Sequence, residues 1–283
     1  MLKFINKTAI ICSLFFMISQ TMFSQIKVMT YNIRYDNAGD SANRWSNRIQ
    51  KMEMLLNNHK ADIIGFQEVL HNQRNDLKKM LPGYQSVGVG RDNGKTKGEY
   101  APVFFRKDKF KCMASATFWL SPTPEVIGSV GWDAALTRIC TYIKLKEKKT
   151  GKIIFVFNTH FDHIGDSARM MSAKLILQKI NVLAKGQPVI LTGDFNSEPD
   201  GSGYKAIIAS TQPALTDTYS EKNSTAPHCT FKGFQVNSTI CKRIDYIFIT
   251  PQFEKLNFKI IDDNDGNYYT SDHLAVMCEL KWK

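Results

Sequence analysis

The chain has 283 residues, of which 43% are hydrophobic and 22% are charged, with 17 glycines and 9 prolines. This length and composition exclude a disulfide-stabilised miniprotein, a disordered or collagenous chain and a polytopic membrane protein, and they leave one large or two ordinary globular domains open. The 37 Lys and Arg exceed the 26 Asp and Glu by 11, which favours an anionic partner such as nucleic acid, a phosphorylated metabolite or an acidic lipid surface.

The first 24 residues have the pattern of a secretory signal peptide. Lys3 and Lys7 precede an apolar stretch at residues 9–18, and small and polar residues follow it up to Ser24. The stretch is about half of the ~20 residues that span a bilayer. The alternative is a buried first helix. Removal of residues 1–24 would lower the net charge to +9, and we predict a periplasmic or secreted protein.

Residues 25–283 are predicted to form one mixed α/β domain, because no repeat, linker or low-complexity tract interrupts them. Apolar residues three and four positions apart predict core-facing helices over residues 45–58 and 167–184. Short runs rich in β-branched and aromatic residues predict strands. They cover residues 27–33, 62–66, 103–105, 137–144, 152–158, 188–191, 244–250 and 274–282.

Polar residues stand at the ends of six of these strands. Four of them follow a strand, namely Asn32, Glu68, His160 and Asp194, whereas Asp245 and His273 precede one. If the last two strands run antiparallel to the first four, all six side chains meet at one rim of the sheets. Active sites on rigid scaffolds are often built in this way.

These residue types suit phosphoryl transfer to water. Carboxylate and amide oxygens are ligands for a hard divalent cation, chiefly Mg²⁺ or Mn²⁺. The reaction also needs a base for the water and donors for the phosphate oxygens. The sequence has no serine nucleophile elbow, glycine-rich phosphate loop or reactive-cysteine motif. Each motif alone has an ordinary explanation as a turn or a helix cap, so the prediction rests on the complete set.

The ordered set of motifs resembles the endonuclease/exonuclease/phosphatase superfamily with the DNase I-like fold. The resemblance covers about residues 26–283 and implies a four-layer α/β sandwich, in which two mixed β-sheets pack face to face between outer helices. It rests on Thr30-Tyr-Asn32-Ile-Arg34, Gln67-Glu68, Asn158-Thr-His160-Phe-Asp162, Gly193-Asp-Phe-Asn196, Arg243-Ile-Asp245-Tyr246 and Ser271-Asp-His273.

The resemblance also implies roles for the metal-binding and catalytic residues. Glu68 is expected to be the principal metal ligand, with Asn32 holding metal or phosphate and Asp272 reaching the metal. Asp194 would activate the attacking water beside Asn196, which would bind the phosphate. The imidazoles of His160 and His273 would hydrogen-bond the non-bridging oxygens, and Asp245 would orient His273. Asp162 and His163 are expected to support His160.

Further residues are predicted to contact the substrate. Glu99 and Tyr100 match a family segment in which an acid supports the first histidine and an aromatic ring meets the phosphate. Arg34 stands where some DNA-repair members carry an additional metal-binding Asp, which argues for a phosphate contact. This form resembles the branch with RNA deadenylases, nocturnin-like phosphatases and exported bacterial hydrolases. Arg138 is a candidate for a substrate contact, with a salt bridge at the rim as the alternative. Trp132 is a candidate for stacking on a base or sugar, with core or rim packing as the alternative.

The sequence therefore predicts a metal-dependent hydrolase of phosphoesters, acting as a monomer without a stable protein partner. RNA, DNA, inositol phosphates, nucleotides and sphingomyelin all remain possible substrates. An exported binding module that has lost catalysis is the alternative from another class. Among the five cysteines after the leader, Cys229 and Cys241 flank a polar loop and are candidates for a disulfide.

Overall fold

The computed structural model describes residues 25–219 and 228–283, so the predicted signal peptide lies outside the described residues. These residues form two six-stranded mixed β-sheets with helices on their outer faces. The four-layer α/β sandwich is thereby confirmed.

The first sheet has the strand order β11-β12-β1-β2-β4-β3. Its central strands β1 and β2 are parallel, and β12 is antiparallel to β1. The strands are β1 (Gln25–Asn32), β2 (Ile63–Gln67), β3 (Tyr84–Val87), β4 (Val103–Arg106), β11 (Phe253–Ile260) and β12 (Val276–Trp282).

The second sheet repeats this plan with the order β5-β6-β7-β8-β10-β9. Its central strands β7 and β8 are parallel, and β10 is antiparallel to β8. The strands are β5 (Phe110–Trp119), β6 (Ile139–Glu147), β7 (Ile153–His160), β8 (Val189–Asp194), β9 (Thr216–Asp217) and β10 (Asp245–Ile249).

Helices cover the outer face of each sheet, because the strands carry apolar residues on both faces. Helices α1 (Trp45–His59) and α2 (His71–Met80) pack on the first sheet, and α3 (Asp166–Ala184) and α4 (Ser202–Ile208) pack on the second. A third apolar core, which includes Val28, Ile63, Val156 and Ile247, lies between the sheets. No helix in the described part of the chain is long and apolar enough to cross a membrane.

The predicted helices and strands all form, with shifts of a few residues at their ends. The sequence analysis missed α2, α4 and the edge strands β3, β5, β9 and β11. Helix α2 is short and mostly polar, and β5 exposes a run of small and polar residues, Lys111 to Ala116. Neither segment carries the apolar repeat on which the predictions depended.

A buried polar cluster joins the two sheets below the rim. Gln67 of the first sheet donates from Nε2 to Asn158 Oδ1 of the second sheet at 2.7 Å and to Thr30 Oγ1 at 3.0 Å. Thr192 Oγ1 also donates to Asn158 Oδ1, at 3.0 Å. All four side chains are completely buried. Because the cluster links both sheets, it fixes how their strand ends lie relative to each other.

Candidate active site

The strand ends that carry the predicted site residues converge at one rim of the sandwich. Within the second sheet, Asp194 is paired with His160 on one side and with Asp245 on the other. In the first sheet, Asn32 ends β1, and His273 precedes the antiparallel strand β12. The predicted antiparallel course of the last two strands is therefore confirmed.

Three residues at this rim adopt the left-handed backbone conformation, which is uncommon outside glycine. Their φ angles are 56° at Arg34, 59° at Glu68 and 43° at Asn196. Each stands one or two positions after the end of β1, β2 or β8. Strained conformations of this kind cost about 1–3 kcal/mol each and cluster at functional sites, where the surrounding structure maintains them.

A cavity of about 990 Å³ opens over this rim. Nine of the thirteen predicted site residues line it, which are Arg34, Glu68, Glu99, Arg138, His160, Asp194, Asn196, Asp272 and His273. Asn32 and Asp245 lie buried beneath these residues, in contact with Asp194 and His273. Tyr100 and Trp132 do not line the cavity.

Asn32 stands at the centre of the buried polar network. Its Nδ2 donates to Asp194 Oδ2 at 2.9 Å and to Glu68 Oε1 at 3.1 Å, and it lies 3.3 Å from His273 Nε2. Its Oδ1 accepts from the backbone N–H of Arg34 at 3.0 Å. One completely buried amide thus connects residues from four separate segments of the chain.

His273 and Asp245 form a buried pair, with 2.8 Å between His273 Nδ1 and Asp245 Oδ2. Burial disfavours the charged imidazole, but the carboxylates of Asp245 and Asp194 outweigh burial and raise the pKa of His273 to about 10. His273 is therefore positively charged at neutral pH. Its Nε2 lies 3.7 Å from Asp194 Oδ2.

His160 has the opposite electrostatic setting. Burial and the nearby cations Arg138 and Arg91 hold the pKa of His160 well below its usual value, so its imidazole is neutral at neutral pH. Its Nε2 lies 3.1 Å from Asn196 Nδ2 and 3.5 Å from Asp194 Oδ2. The two histidines therefore flank Asp194 in different charge states, a difference that the sequence did not predict.

Asp194 has a pKa suited to a base at neutral pH. Burial, reinforced by the neighbouring carboxylate of Asp245, raises the pKa of Asp194 to about 7. Its Oδ1 accepts the backbone N–H of Asn196 at 2.9 Å, and its Oδ2 accepts from Asn32. Both oxygens are thus fixed in position.

The oxygen donors at this rim fit a divalent cation. Burial and the nearby carboxylates of Asp272 and Glu99 raise the pKa of Glu68, a repulsion that a bound cation would relieve. Ligand atoms of Asp194, Asp245 and His273 also lie within 4.8 Å of one another, but a protonated His273 offers no nitrogen lone pair to a metal, so Glu68 is the better centre for the cation. Asp245 Oδ1 is buried without a hydrogen-bond partner among the described residues. Carboxylate and amide oxygens of this kind suit Mg²⁺ or Mn²⁺.

Arg138 is buried at the cavity wall, with only 4% of its surface exposed. Its Nε donates to Asp162 Oδ2 at 3.3 Å, and its Nη2 lies 2.9 Å from His163 Nδ1. Asp162 and His163 were expected to support His160. In the structure they contact Arg138 instead. The Nη1 of Arg138 is buried without a partner among the described residues. An unpaired buried guanidinium nitrogen in a cavity wall is suited to an anion.

Two residues that were predicted to contact the substrate, Tyr100 and Trp132, do not line the cavity in this structure. The hydroxyl of Tyr100 donates to the Lys95 carbonyl at 2.9 Å and lies 2.9 Å from His71 Nδ1, so the ring is buried away from the cavity. Trp132 lies within a turn that is closed by a hydrogen bond from Ala134 N to the Gly131 carbonyl, and it is not part of the lining.

Two other predicted contacts do line the cavity, but both are paired within the protein. Arg34 makes two hydrogen bonds of 2.9 Å to Asp40. Glu99 accepts from Arg91 at 2.9 Å, and it lies 3.8 Å from His160 Nδ1, beyond hydrogen-bond distance. These ion pairs reduce the charge that either side chain offers to a substrate.

The cavity lining carries more acids than bases, although the whole chain is basic. The cations are Arg34, Arg91, Arg138, Arg169, Lys242 and the charged His273, and the acids are Asp36, Glu68, Glu99, Asp166, Asp194, Glu198, Asp200 and Asp272. Six of these residues were not predicted, because none belongs to a motif: Asp166 and Arg169 lie in the first turn of α3, and Asp36, Glu198, Asp200 and Lys242 lie outside the helices and strands. The net positive charge of the chain therefore does not indicate where this site lies.

The model of the Endonuclease/Exonuclease/phosphatase family matches residues 29–273, which include every predicted site residue. The chain belongs to this family. Among curated proteins, it is 26% identical to an uncharacterised protein of Acanthamoeba polyphaga mimivirus, over 89% of this chain and 98% of that protein. It is 25% identical to nocturnin of Mus musculus, over 92% of this chain and 66% of nocturnin.

Solved structures give a closer comparison. The family member from Bacteroides vulgatus is 41% identical and superposes with a TM-score of 0.86, over 92% of this chain and all of that chain. A mannosyl-6-phosphatase from Bacteroides thetaiotaomicron is 39% identical, with a TM-score of 0.84 over 91% of this chain and all of that chain. The protein is a phosphoester hydrolase of a family that generally depends on divalent metal.

Proposed function

We propose that this protein is a Mg²⁺-dependent phosphatase that releases inorganic phosphate from a phosphorylated sugar. The observation that carries the proposal is the charge of the cavity. Its wall contains one deeply buried arginine, Arg138, which is paired with Asp162 but has one guanidinium nitrogen, Nη1, without a partner among the described residues. The carboxylates of the lining outnumber its basic residues. Such a cavity suits a ligand with one phosphate and a neutral, hydroxyl-bearing remainder, because carboxylates accept hydrogen bonds from hydroxyl groups.

The name of one relative supports the choice of a sugar. The mannosyl-6-phosphatase from Bacteroides thetaiotaomicron shares 39% identity over 91% of this chain. Its name denotes a phosphate ester on the primary hydroxyl of a hexose. We infer that this chain acts on a phosphate monoester of the same class.

In the proposed reaction, Asp194 acts as the general base, since its pKa of about 7 lets it accept a proton from the attacking water at neutral pH. The charged His273 and the amide of Asn196 donate hydrogen bonds to the phosphate oxygens as negative charge develops. Asp245 keeps the His273 ring oriented through the 2.8 Å hydrogen bond. The metal would be held by Glu68 with Asp272 and would supply additional positive charge. Asn32, expected to hold the metal or the phosphate, instead donates from Nδ2 to Glu68 and so orients that carboxylate.

A second candidate is a 3′–5′ RNA exonuclease. It is favoured by curated relatives that are named RNA exonucleases, such as NGL1 of Saccharomyces cerevisiae, 23% identical over 62% of this chain. The acid-rich lining weighs against it, because proteins that bind single-stranded nucleic acid use a basic groove with exposed aromatic rings.

A hydrolysis panel separates the two candidates. Purified residues 25–283 would be incubated with mannose 6-phosphate, a mannosyl-6-phosphate oligosaccharide, glucose 6-phosphate, inositol phosphate and poly(A) RNA, with Mg²⁺ or with EDTA. We expect Mg²⁺-dependent phosphate release from the mannose esters and no nucleotide release from RNA. An Asp194→Asn variant serves as the control and should lose activity by at least about 1,000-fold. Nucleotide release from poly(A) without phosphate release from sugars would reject the proposal.

We also propose that the protein is exported after cleavage near Ser24. The disulfide between Cys229 and Cys241, with 4.9 Å between their Cα atoms, supports an oxidising compartment. Mass spectrometry of the protein isolated from the periplasm or medium of a producing cell should show an amino terminus near residue 25. Recovery of an uncleaved chain from the cytoplasm would contradict export.

A further inference from the structure

A short segment next to the disulfide touches both partners of the His273–Asp245 pair. The segment runs from Cys229 to Gly233, and its backbone bonds to two separate stretches of the site. On one side, Thr230 N and Phe231 N both donate to the Lys242 carbonyl, at 2.8 and 2.9 Å. On the other side, Lys232 N and Gly233 N both donate to the Asp272 carbonyl, at 3.1 and 3.0 Å.

Thr230 is the atom-level link between these two stretches. Its Oγ1 accepts the backbone N–H groups of Ile244 and Asp245, at 2.9 and 3.0 Å. Its carbonyl accepts the N–H of Leu274, the residue after His273, at 2.6 Å. Thr230 is completely buried. One residue therefore holds the backbone at Asp245 and next to His273 at the same time.

The following residue contacts the imidazole itself. Phe231 pairs with His273 in an isolated β-bridge, and the two ring centroids lie 4.9 Å apart with an interplanar angle of 58°. Phe231 also lines the cavity. Asp245 holds the imidazole of His273 at Nδ1, and the Phe231 ring packs against it. The Phe231 ring thus limits rotation of His273.

The disulfide closes this segment. Cys229 directly precedes Thr230, and Cys241 directly precedes Lys242, whose carbonyl binds the segment. A hydrogen-bonded contact of two short stretches is weak alone, and a covalent link beside it restricts their separation. The disulfide therefore lies where it restricts the position of Thr230.

We infer that Thr230 is a positioning residue for the His273–Asp245 pair, and that the Cys229–Cys241 disulfide keeps Thr230 in place. The inference rests on the proposed function for its kinetic consequence, but not for its geometry. Small displacements of catalytic groups cost up to about a hundredfold in rate. The disulfide is then part of what sets turnover, besides its effect on stability.

Thr230→Val tests this role, because valine keeps the shape and removes the hydroxyl. We expect kcat to fall about tenfold, with KM changed less than twofold, since the pair acts in the transition state. Thr230→Ser should restore kcat to within about twofold of the unmodified protein. The matched control is Thr250→Val. Thr250 Oγ1 also accepts a backbone N–H, that of Val189 at 2.9 Å, but Thr250 follows the end of β10 that is opposite to Asp245.

The Cys229→Ser/Cys241→Ser variant tests the disulfide. We expect a fall in kcat similar to that of Thr230→Val, and little further loss when both changes are combined, because they act through the same contact. Normal kcat in Thr230→Val, or an equal loss in Thr250→Val, would overturn the inference. Normal kcat in the double serine variant would overturn the part assigned to the disulfide.

A spectroscopic measurement keeps the test independent of activity. The ¹H–¹⁵N signal of the hydrogen-bonded His273 Nδ1 would be recorded in EDTA and assigned with His273→Asn. We expect the signal in the unmodified protein and in Thr230→Ser, and its broadening or loss in Thr230→Val. An unchanged signal in a folded Thr230→Val protein would overturn the inference. If the unmodified protein releases no phosphate from any substrate, the proposed function fails and this measurement still decides the positioning role.

Discussion

At the scale of single residues, the site depends on burial as much as on residue type. Asp194 and Asp162 are both almost completely buried aspartates, yet their environments move their pKa values in opposite directions. Burial raises the pKa of Asp194, and the neighbouring carboxylate of Asp245 adds to this effect, whereas at Asp162 the backbone N–H groups that surround the carboxylate outweigh burial and lower its pKa. The first is thereby suited to proton transfer and the second to permanent charge.

Arg138 is expected to bind the phosphate of the substrate. Because its Nη1 is buried and unpaired at the cavity wall, Arg138→Gln should lower kcat/KM about tenfold to a hundredfold through loss of a charge-assisted hydrogen bond. Steady-state phosphate release measures the effect. Arg169→Gln is the control, since Arg169 lines the same cavity but both of its terminal nitrogens have partners, the Asp162 carbonyl at 3.2 Å and Asp166 Oδ1 at 3.0 Å. Equal effects of the two changes would contradict the special role of Arg138.

The ionised Asp162 makes the free energy of unfolding depend on pH in the acidic range. Burial disfavours its charge, but N–H donors from Gly165 and Ile164 and the Arg138 guanidinium lower its pKa to about 2. The ionised group therefore contributes stability above its unfolded pKa, about 3.8, and this contribution is lost as the pH falls towards 2.

Urea unfolding of Asp162→Asn should show this directly. We expect the variant to be about 2 kcal/mol less stable than the unmodified protein at pH 6, with the difference shrinking between pH 4 and pH 2. Glu53→Gln, at an exposed position on α1, controls for general acid effects. A difference that stays constant from pH 6 to pH 2 would contradict the assignment.

At the scale of elements, the polar cluster between the sheets decides where the strand ends meet. Gln67 and Asn158 belong to motifs that the sequence analysis quoted for the site. The structure instead places both side chains below it, where they connect β2 to β7. The cluster has room only because residue 65 of β2 has no side chain, since a Cβ there would lie 2.3 Å from Thr192 Oγ1 and 2.4 Å from Asn158 Oδ1.

Gly65→Ala should therefore destabilise the sandwich. The methyl group would push apart buried hydrogen-bonded side chains, and we expect the free energy of unfolding to fall by about 2–3 kcal/mol. Chemical denaturation followed by circular dichroism measures this change. Gly83→Ala is the matched control, because nothing lies within 4 Å of a Cβ at that position. If both variants unfold at the same urea concentration, the cluster is not sterically restricted as described.

At the scale of the whole molecule, the net charge and the charge of the site are different properties. The chain carries +11, yet its cavity lining contains more carboxylates than cations. The positive excess is therefore distributed over other surfaces, where it does not select the substrate. This separation supports the proposed small phosphorylated substrate over a polyanion, which a basic groove would attract.

The dependence of activity on salt tests this conclusion. For a sugar phosphate, we expect the slope of log(kcat/KM) against log[NaCl] to stay shallower than about −1, because few counterions are released when one phosphate binds. The measurement is a series of initial rates between low and physiological salt at fixed Mg²⁺. A slope of several units would indicate polyanion binding and would contradict the charge argument.

The sequence by itself determined the mixed α/β class and the residues at the rim, and the resemblance of its ordered motifs to a known family implied the two-sheet architecture. This was possible because these features are local, namely apolar runs that end in His, Asp, Asn or Glu. Only the tertiary structure decided that His160 is neutral while His273 is charged, that Tyr100 is turned away from the cavity, and that Thr230 supports the pair. These properties depend on which groups lie within a few ångströms of each other and on how much water they exclude. Chain folding sets those distances between residues that are far apart in sequence.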